Sequence, residues 1–227
     1  MIELTQRRIR SFVRREGRMT KAQGDALRRL GERYLLEPQG KLDLDVLFGR
    51  PAPRILEIGF GMGDALAIMA RERPECDFLG IEVHRPGIGS LLLKLERDAM
   101  DNVRVICADA VEVLRQYLPD DGLDAVYLFF PDPWPKTRHH KRRIVQGVFA
   151  ELVRRKLKPG GRFHLATDWE DYARYMMRVM EAAPGFRNLA GAAKFSPRSP
   201  DRPLTKFEQR GQRLGHDVWD LVFARDQ

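Results

Sequence analysis

The chain has 227 residues, 43% of them hydrophobic and 32% charged, with a formal net charge of +8, enough to bury one sizeable core. No apolar run approaches the ~18 residues needed to span a bilayer, and the Arg-rich start lacks the apolar stretch of a secretory signal. Cytoplasm is therefore the expected location, with no membrane partner.

Two cysteines, Cys76 and Cys107, give neither a disulfide framework nor a zinc cluster. They read as small buried hydrophobes in strand segments, and no metal site is expected. The charge is unevenly spread. Residues 1–33 carry ten Lys/Arg against four acids, residues 136–143 add +5, and residues 194–213 add +4. The rest of the chain is acidic, so the excess has the form of a polyanion footprint.

In chain order, residues 1–50 read as a basic N-terminal extension, with a short amphipathic helix around Lys21–Leu35. Its stretch Ser11–Gly17 mixes Arg with Phe12, as an RNA-contacting arm would. From Arg54 onward, apolar runs alternate with helical ones. Strand segments at 54–58, 76–83, 103–108, 123–130 and 162–167 are separated by helical stretches Asp64–Glu72, Ile88–Met100, Ala110–Tyr117, Ile144–Lys156 and Glu170–Ala182. K-P-G-G (158–161) reads as a turn. Near-continuous apolar strands between helices predict a doubly wound, mostly parallel α/β sheet, Rossmann-like and seven-stranded. V-W-D-L-V-F-A (218–224), with Trp219, Leu221 and Phe223 on one side, reads as a late antiparallel edge strand. Residues 51–227 are thus expected to form a single domain, with a Gly-, Ser-, Pro- and Arg-rich loop at 191–203 inside a C-terminal substrate-binding segment at 191–213.

The turn after the first strand of the alternating region, L-E-I-G-F-G-M-G-D (56–64), places Gly59, Gly61 and Gly63 where backbone N–H groups can approach a ligand, with Asp64 as a natural N-cap. The G-x-G-x-G spacing and the acid Glu57 ahead of it disfavour a pyrophosphate, and with it a nicotinamide dehydrogenase. They suit the cationic amino-acid end of S-adenosylmethionine. Glu82, at the next strand end, can accept from ribose hydroxyls, and Asp109, at the one after, from an adenine amine. Both acids also stand where a helix N-cap would.

F-F-P-D-P-W-P-K-T-R-H-H-K-R-R (129–143) follows the fourth of these strands. Pro131, Pro133 and Pro135 stiffen it, so Asp132 and Trp134 project from a fixed frame. Trp134 reads equally as a base-stacking or a core residue. His139 and His140 read as RNA contacts or surface residues rather than acid–base groups, and His84, His164 and His216 receive no role.

R-S-F-V-R-R (10–15), L-E-I-G-F-G-M-G (56–63), G-I-E-V-H (80–84), the Asp132 loop (130–143), L-K-P-G-G (157–161), A-T-D (166–168) and T-K-F-E-x-R-G (205–211) run in order over nearly the whole chain. Together they resemble the tRNA (guanine-N7)-methyltransferases of the TrmB family. The resemblance implies the class I methyltransferase fold and transfer of a methyl group from S-adenosyl-L-methionine to N7 of guanine 46 in the tRNA variable loop. It implies that Glu57, Gly59, Gly61, Gly63, Glu82, Asp109 and Asp132 bind the methyl donor, with Asp132 also the catalytic residue. Lys136, Asp168, Thr205, Lys206, Phe207 and Glu208 would contact the substrate. Arg138, His139, His140, Lys141, Arg142 and Arg143 would touch RNA. Monomer and homodimer both stay open.

Guanine N7 has a free lone pair and no proton, so Asp132 is expected to orient the base and stabilise charge on it rather than remove a proton. Asp168 and Glu208 are expected to accept from guanine N1–H and its amine. The rival readings are a methyltransferase for an exocyclic amine of RNA or DNA, in which a second proline and then an aromatic residue would follow the Asp–Pro pair, and a non-catalytic RNA-binding module.

Overall fold

The computed structural model describes residues 17–200, 202–205, 208–209 and 217–227. Phe12 and the rest of 1–16, together with Lys206, Phe207 and residues 210–216, lie outside the described residues.

The first helix, α1 (Lys21–Tyr34), opens on a capping box: the Thr20 hydroxyl accepts from Gln23 N and the Gln23 side chain accepts from Thr20 N. Its apolar face, Ala26, Leu27, Leu30 and Tyr34, is buried. Arg29 and Arg33 on its outer side pair with Glu96 and Asp101, and the Tyr34 hydroxyl donates to Met100 O at 2.9 Å. A two-residue strand β1 (Leu35–Leu36) and a short helix α2 (Leu44–Phe48) lead into the alternating region. There the elements are β2 (Arg54–Ile58), α3 (Asp64–Glu72), β3 (Asp77–Ile81), α4 (Arg85–Arg97), β4 (Val103–Ile106), α5 (Ala110–Gln116) and β5 (Leu123–Phe129). A 3₁₀ turn (Thr137–Arg142) follows, then α6 (Gly147–Lys156), β6 (Leu157–Thr167), α7 (Glu170–Glu181), β7 (Phe186–Asn188) and β8 (Trp219–Arg225).

The strands form one eight-stranded sheet in the order β1-β4-β3-β2-β5-β6-β8-β7. The strands from β1 to β6 pair in parallel, whereas β8 runs antiparallel to both β6 and β7. Alternation along β2 shows how the core divides. Leu56 and Ile58 face one cluster with α5, α6 and α7, and Ile55 faces a second with α1, α3 and α4.

The doubly wound class expected from the pattern is the one observed, with differences at its margins. The sheet has eight strands rather than seven, because β1 and β7 are too short to show a period. β8 is not the edge, since β7 lies outside it. Its polar residue Asp220 is buried rather than facing water. The α4 helix begins at Arg85 and stops at Arg97, because Ala99 takes a left-handed φ of 49° and turns the chain into β4. The K-P-G-G segment is not a separate turn but a bulge within β6: Leu157 pairs with Leu123 and Arg162 with Ala125. Cys76 is buried as expected, but Cys107 is exposed, lying just past the end of β4 where the side chains no longer face the core.

Candidate active site

The chain visits β2, β3 and β4 in one direction and then crosses to β5 on the other side of β2. Open α/β sheets bind ligands at such a reversal, outside the carboxyl ends of the strands. A cavity of about 240 Å³ lies there, walled by Gly59, Glu82, Ala108, Phe130 and Asp132 among others.

The glycine turn forms one lip. Gly59, Gly61 and Gly63 have φ of 73°, 56° and 75°, a region costly for any residue with a Cβ. The N-cap of α3 is Gly63, not Asp64: Asp64 is the first helical residue, and its carboxylate stands 3.3 Å from Lys94 Nζ. A Cβ on Gly87, in the first turn of α4, would sit 2.0 Å from Gly61 O, so a glycine there lets the turn and the helix touch.

Glu82 fixes this turn. Its Oε2 accepts from Gly61 N at 2.8 Å, and its Oε1 accepts from Val83 N and His84 N at 2.7 and 2.9 Å. A carboxylate has about four acceptor positions, so three are committed to the backbone, leaving room for one ribose hydroxyl rather than two. Glu57 is 3% exposed. Its Oε2 has no hydrogen-bond partner among the described residues. Burial, reinforced by the nearby Glu82 carboxylate, pushes its pKa up to about 8. A buried acid with one oxygen lacking a partner, on the strand that leads into the glycine turn, fits a cationic group such as the methionine end of S-adenosylmethionine. Asp109 caps α5 by accepting from Val111 N at 2.8 Å. It opens on a neighbouring concavity with Arg115, Lys141 and Arg142, while Ala108 and Ala110 line the cavity walled by Glu82 and Asp132.

The Asp132 loop forms the opposite wall. Phe130 and Trp134 on either side of Asp132 adopt φ of 52° and 47°, conformations that cost of order 1–3 kcal/mol each and persist only where the surroundings impose them. Phe130 N donates to Ala166 O at 2.8 Å. Downstream, Arg143 Nε donates to Pro133 O at 2.9 Å, and its Nη2 reaches Asp171 Oδ2 at 2.5 Å. Its guanidinium carbon lies 4.8 Å from the Tyr172 ring centroid and 5.1 Å from that of Tyr175.

Arg143 is 1% exposed, which corrects its assignment to RNA contact: the side chain faces inward and holds the loop. The α6 helix begins at Gly147, with Gln146 as its N-cap, rather than at Ile144. Lys136, Arg138 and Lys141 remain exposed, and Arg142 is half-buried. Trp134 lies outside both apolar clusters, with the Arg142 guanidinium 4.8 Å from its ring centroid and His139 edge-on at 5.9 Å. The His139 pKa is lowered, first by desolvation and then by Arg138, Arg142, Lys136 and Lys141. His140 is half-buried, its Nε2 without a hydrogen-bond partner among the described residues.

Asp168 is half-buried just past the end of β6. The Thr205 hydroxyl accepts from Glu208 N at 3.2 Å. Glu208 is 2% exposed, with both oxygens taken by Arg202 at 2.5 and 2.9 Å. It lies buried against this guanidinium and outside the lining of the cavity that Asp132 walls, which does not favour the expected contact with guanine N1–H.

Sequence reasoning missed Arg202, Asp220 and His164. Arg202 also pairs with Asp220, whose Oδ1 stands 2.7 Å from His164 Nε2. Burial alone would raise the Asp220 carboxyl, but the hydrogen bonds from His164 and Arg202 outweigh it and hold the pKa below its ordinary value. One signal was present: an acid within an otherwise apolar strand has to find a partner.

The parallel sheet, the glycine turn and the acids at successive strand ends define the S-adenosylmethionine-dependent methyltransferase class. The fold agrees with solved methyltransferases. A 16S rRNA methyltransferase, KamB, superposes with a TM-score of 0.60 at 16% identity, covering 86% of this chain and 99% of that one. TrmN from Thermus thermophilus gives 0.53 at 18% identity, covering 80% of this chain and 47% of that one. Residues 51–221 match the family described as "Putative methyltransferase".

Proteins called tRNA (guanine-N(7)-)-methyltransferase are far more similar in sequence. The one from Alcanivorax borkumensis is 58% identical, covering 96% of this chain and 92% of its own length. Those from Pseudomonas putida, with the same coverage, and Serratia proteamaculans, covering 97% and 93%, are 59% and 57% identical. The chain belongs to the tRNA (guanine-N7)-methyltransferase family, in which S-adenosylmethionine donates a methyl group to N7 of a tRNA guanine. Membership removes the exocyclic-amine and non-catalytic readings.

Proposed function

We propose that the cavity between the glycine turn and the Asp132 loop is the methyl-transfer site, acting in the cytoplasm on guanine 46 of the tRNA variable loop. The observation that carries this reading is one cavity lined on one side by Gly59 and Glu82 and on the other by a strained loop bearing Asp132.

In this reading Glu57 receives the methionine ammonium, the open acceptor position of Glu82 takes a ribose hydroxyl, and Asp109, between two alanines of the cavity wall but turned to the neighbouring concavity, reaches the adenine amine with its second oxygen. When bound, S-adenosylmethionine supplies an electrophilic methyl group on a sulfonium. The chain's own task is to hold the guanine plane so that the N7 lone pair meets that carbon in line. N7 carries no proton, so no base is required. Positive charge arrives on the purine as transfer proceeds, and Asp132 is placed to stabilise it. Asp168 stands past β6 and accepts from the guanine amine. Lys136, Arg138, Lys141 and Arg142 hold the tRNA backbone.

The test is labelled methyl transfer to tRNA transcripts with guanine or adenine at the variable-loop position, using wild type and Asp132→Asn. The wild type should label only the guanine transcript. Asp132→Asn should lose about 100-fold or more in rate while keeping its affinity for S-adenosylmethionine and tRNA. Equal labelling of both transcripts would overturn the assigned target.

A further inference from the structure

Arg143 and Arg202 are the two largest fully buried side chains of the described residues. Arg143 anchors the end of the Asp132 loop. Arg202 joins Glu208, Asp220 on β8 and the aromatic residues that enter the Asp132 loop. Its Nη1 and Nη2 reach Glu208 Oε2 and Oε1 at 2.5 and 2.9 Å. Its Nε and Nη2 reach Asp220 Oδ1 and Oδ2, on β8, at 2.8 and 2.9 Å. Arg198 Nε adds a contact to Glu208 Oε1 at 3.5 Å, and His164 on β6 holds Asp220 from the other side. The flat face of the same guanidinium lies against the aromatic run that enters the Asp132 loop. Its carbon is 5.6 Å from the Phe130 ring centroid and 6.0 Å from that of Phe129.

Stability alone does not explain such a cluster. Buried ion pairs are often no more stabilising than apolar residues of the same volume. What the arrangement does provide is linkage. The planar fork satisfies two carboxylates along its edges and keeps its face for the ring, which a lysine ammonium could not do. Phe130, at φ 52°, is held by its neighbours, and one of those neighbours, Arg202, is bonded to Glu208.

We infer that Arg202 is a positioning residue for methyl transfer: by clamping Glu208 and covering Phe130, it makes the seating of Glu208 set the direction in which Asp132 faces. This inference rests on the Asp132 loop being the transfer site.

The experiment compares Arg202→Lys, Glu208→Gln, the double variant and Asp132→Asn. The readouts are single-turnover methyl transfer at saturating tRNA, calorimetric affinity for S-adenosylmethionine, and thermal melting. Arg202→Lys should slow transfer by about 100-fold, the scale expected of a small misplacement, with cofactor affinity unchanged within about twofold. Glu208→Gln turns an amide N–H₂ toward the guanidinium and should slow transfer as well. The double variant should be little worse than Arg202→Lys, because both changes break one clamp. Additive losses, a wild-type rate in Arg202→Lys, or equal loss of rate, cofactor affinity and melting temperature would overturn the inference. If Arg202→Lys fails to fold, Glu208→Gln decides, and a wild-type rate in that variant refutes the clamp. An active Asp132→Asn enzyme would instead sink the site reading itself. An inactive Asp132→Asn beside a fully active Arg202→Lys would sink only the linkage.

Discussion

On the cofactor side of the crevice the Glu82 carboxylate is fixed by three backbone N–H groups. On the substrate side Asp132 stands between two side-chain anchors, Arg202 against Phe130 before it and Arg143 on Pro133 O after it. The first arrangement follows from the strand–turn–helix geometry of β2, β3 and α3, so it forms as soon as those elements do. The second depends on residues brought together from β8, α7 and the 196–208 region, so it forms only when the tertiary structure is complete. The glycine-turn side is therefore held locally, and the Asp132 side by contacts between parts of the chain distant in sequence.

The largest effect that sharpens this contrast is expected from Arg143→Met. The change removes the hydrogen bond to Pro133 O, the Asp171 pair and the polar stack on two tyrosines, while retaining much of the volume. Stability should fall by roughly 1–3 kcal/mol, the cost of leaving a partly buried carbonyl without its donor. Single-turnover transfer should fall about 100-fold through displacement of Asp132. S-adenosylmethionine affinity, measured by calorimetry, should stay near wild type. Equal damage to both binding and rate would show that the two sides of the crevice are one mechanical unit, and the comparison would break.

The same contrast decides what could be read from sequence. The alternating elements were legible because periodicity reports burial: β2, α3 and β5 follow from apolar spacing, and the glycine turn from its three glycines. The margins were not legible. β1 has two residues and β7 three, too few for any period, and β7 covers the edge that β8 was expected to form. The substrate side failed for a different reason. Arg143 closes a run of five Lys/Arg, and Arg202 lies in the basic 194–213 segment. A count of charges assigns both to RNA, whereas an arginine turns inward when carboxylates and aromatic faces await it. Those partners, Asp171, Tyr172, Glu208 and Asp220, lie 6 to 29 residues away in the sequence, beyond any local pattern.

A smaller effect probes the cofactor side. Burial and the Glu82 charge hold Glu57 protonated up to about pH 8, against an ordinary value of 4.5. Between those two values the folded chain keeps a proton that the unfolded chain has lost, so stability should fall as pH rises through that window and level off above it. Bound methionine ammonium favours the ionised carboxylate. Ligand affinity should therefore climb by up to tenfold per pH unit toward about pH 8, where an α-amino group itself begins to lose its proton. Calorimetry in buffers of different ionisation enthalpy should detect about one proton released per ligand near neutral pH. Glu57→Gln should abolish both the release and the rising limb, and should stabilise the free protein at pH 8 by roughly 1–3 kcal/mol, since no charge is then buried. An unchanged rising limb in the variant would move the ammonium site away from Glu57.

The smallest effect separates an exposed arginine from a buried one in the same basic run. Arg138 is exposed and faces solvent, whereas Arg143 faces the core. If Arg138 neutralises one phosphate, Arg138→Ala should make the slope of log affinity against log salt shallower by about 0.7 to 0.9. It should weaken tRNA binding only a few-fold at moderate salt, with the transfer rate at saturating tRNA and the melting temperature unchanged. Arg143→Met should show the opposite profile, a wild-type salt slope with a depressed rate. The pair of measurements asks whether burial rather than position in the basic run assigns an arginine its task. An altered salt slope in Arg143→Met would return that residue to the RNA surface and leave Arg202 as the single arginine anchor of the Asp132 loop.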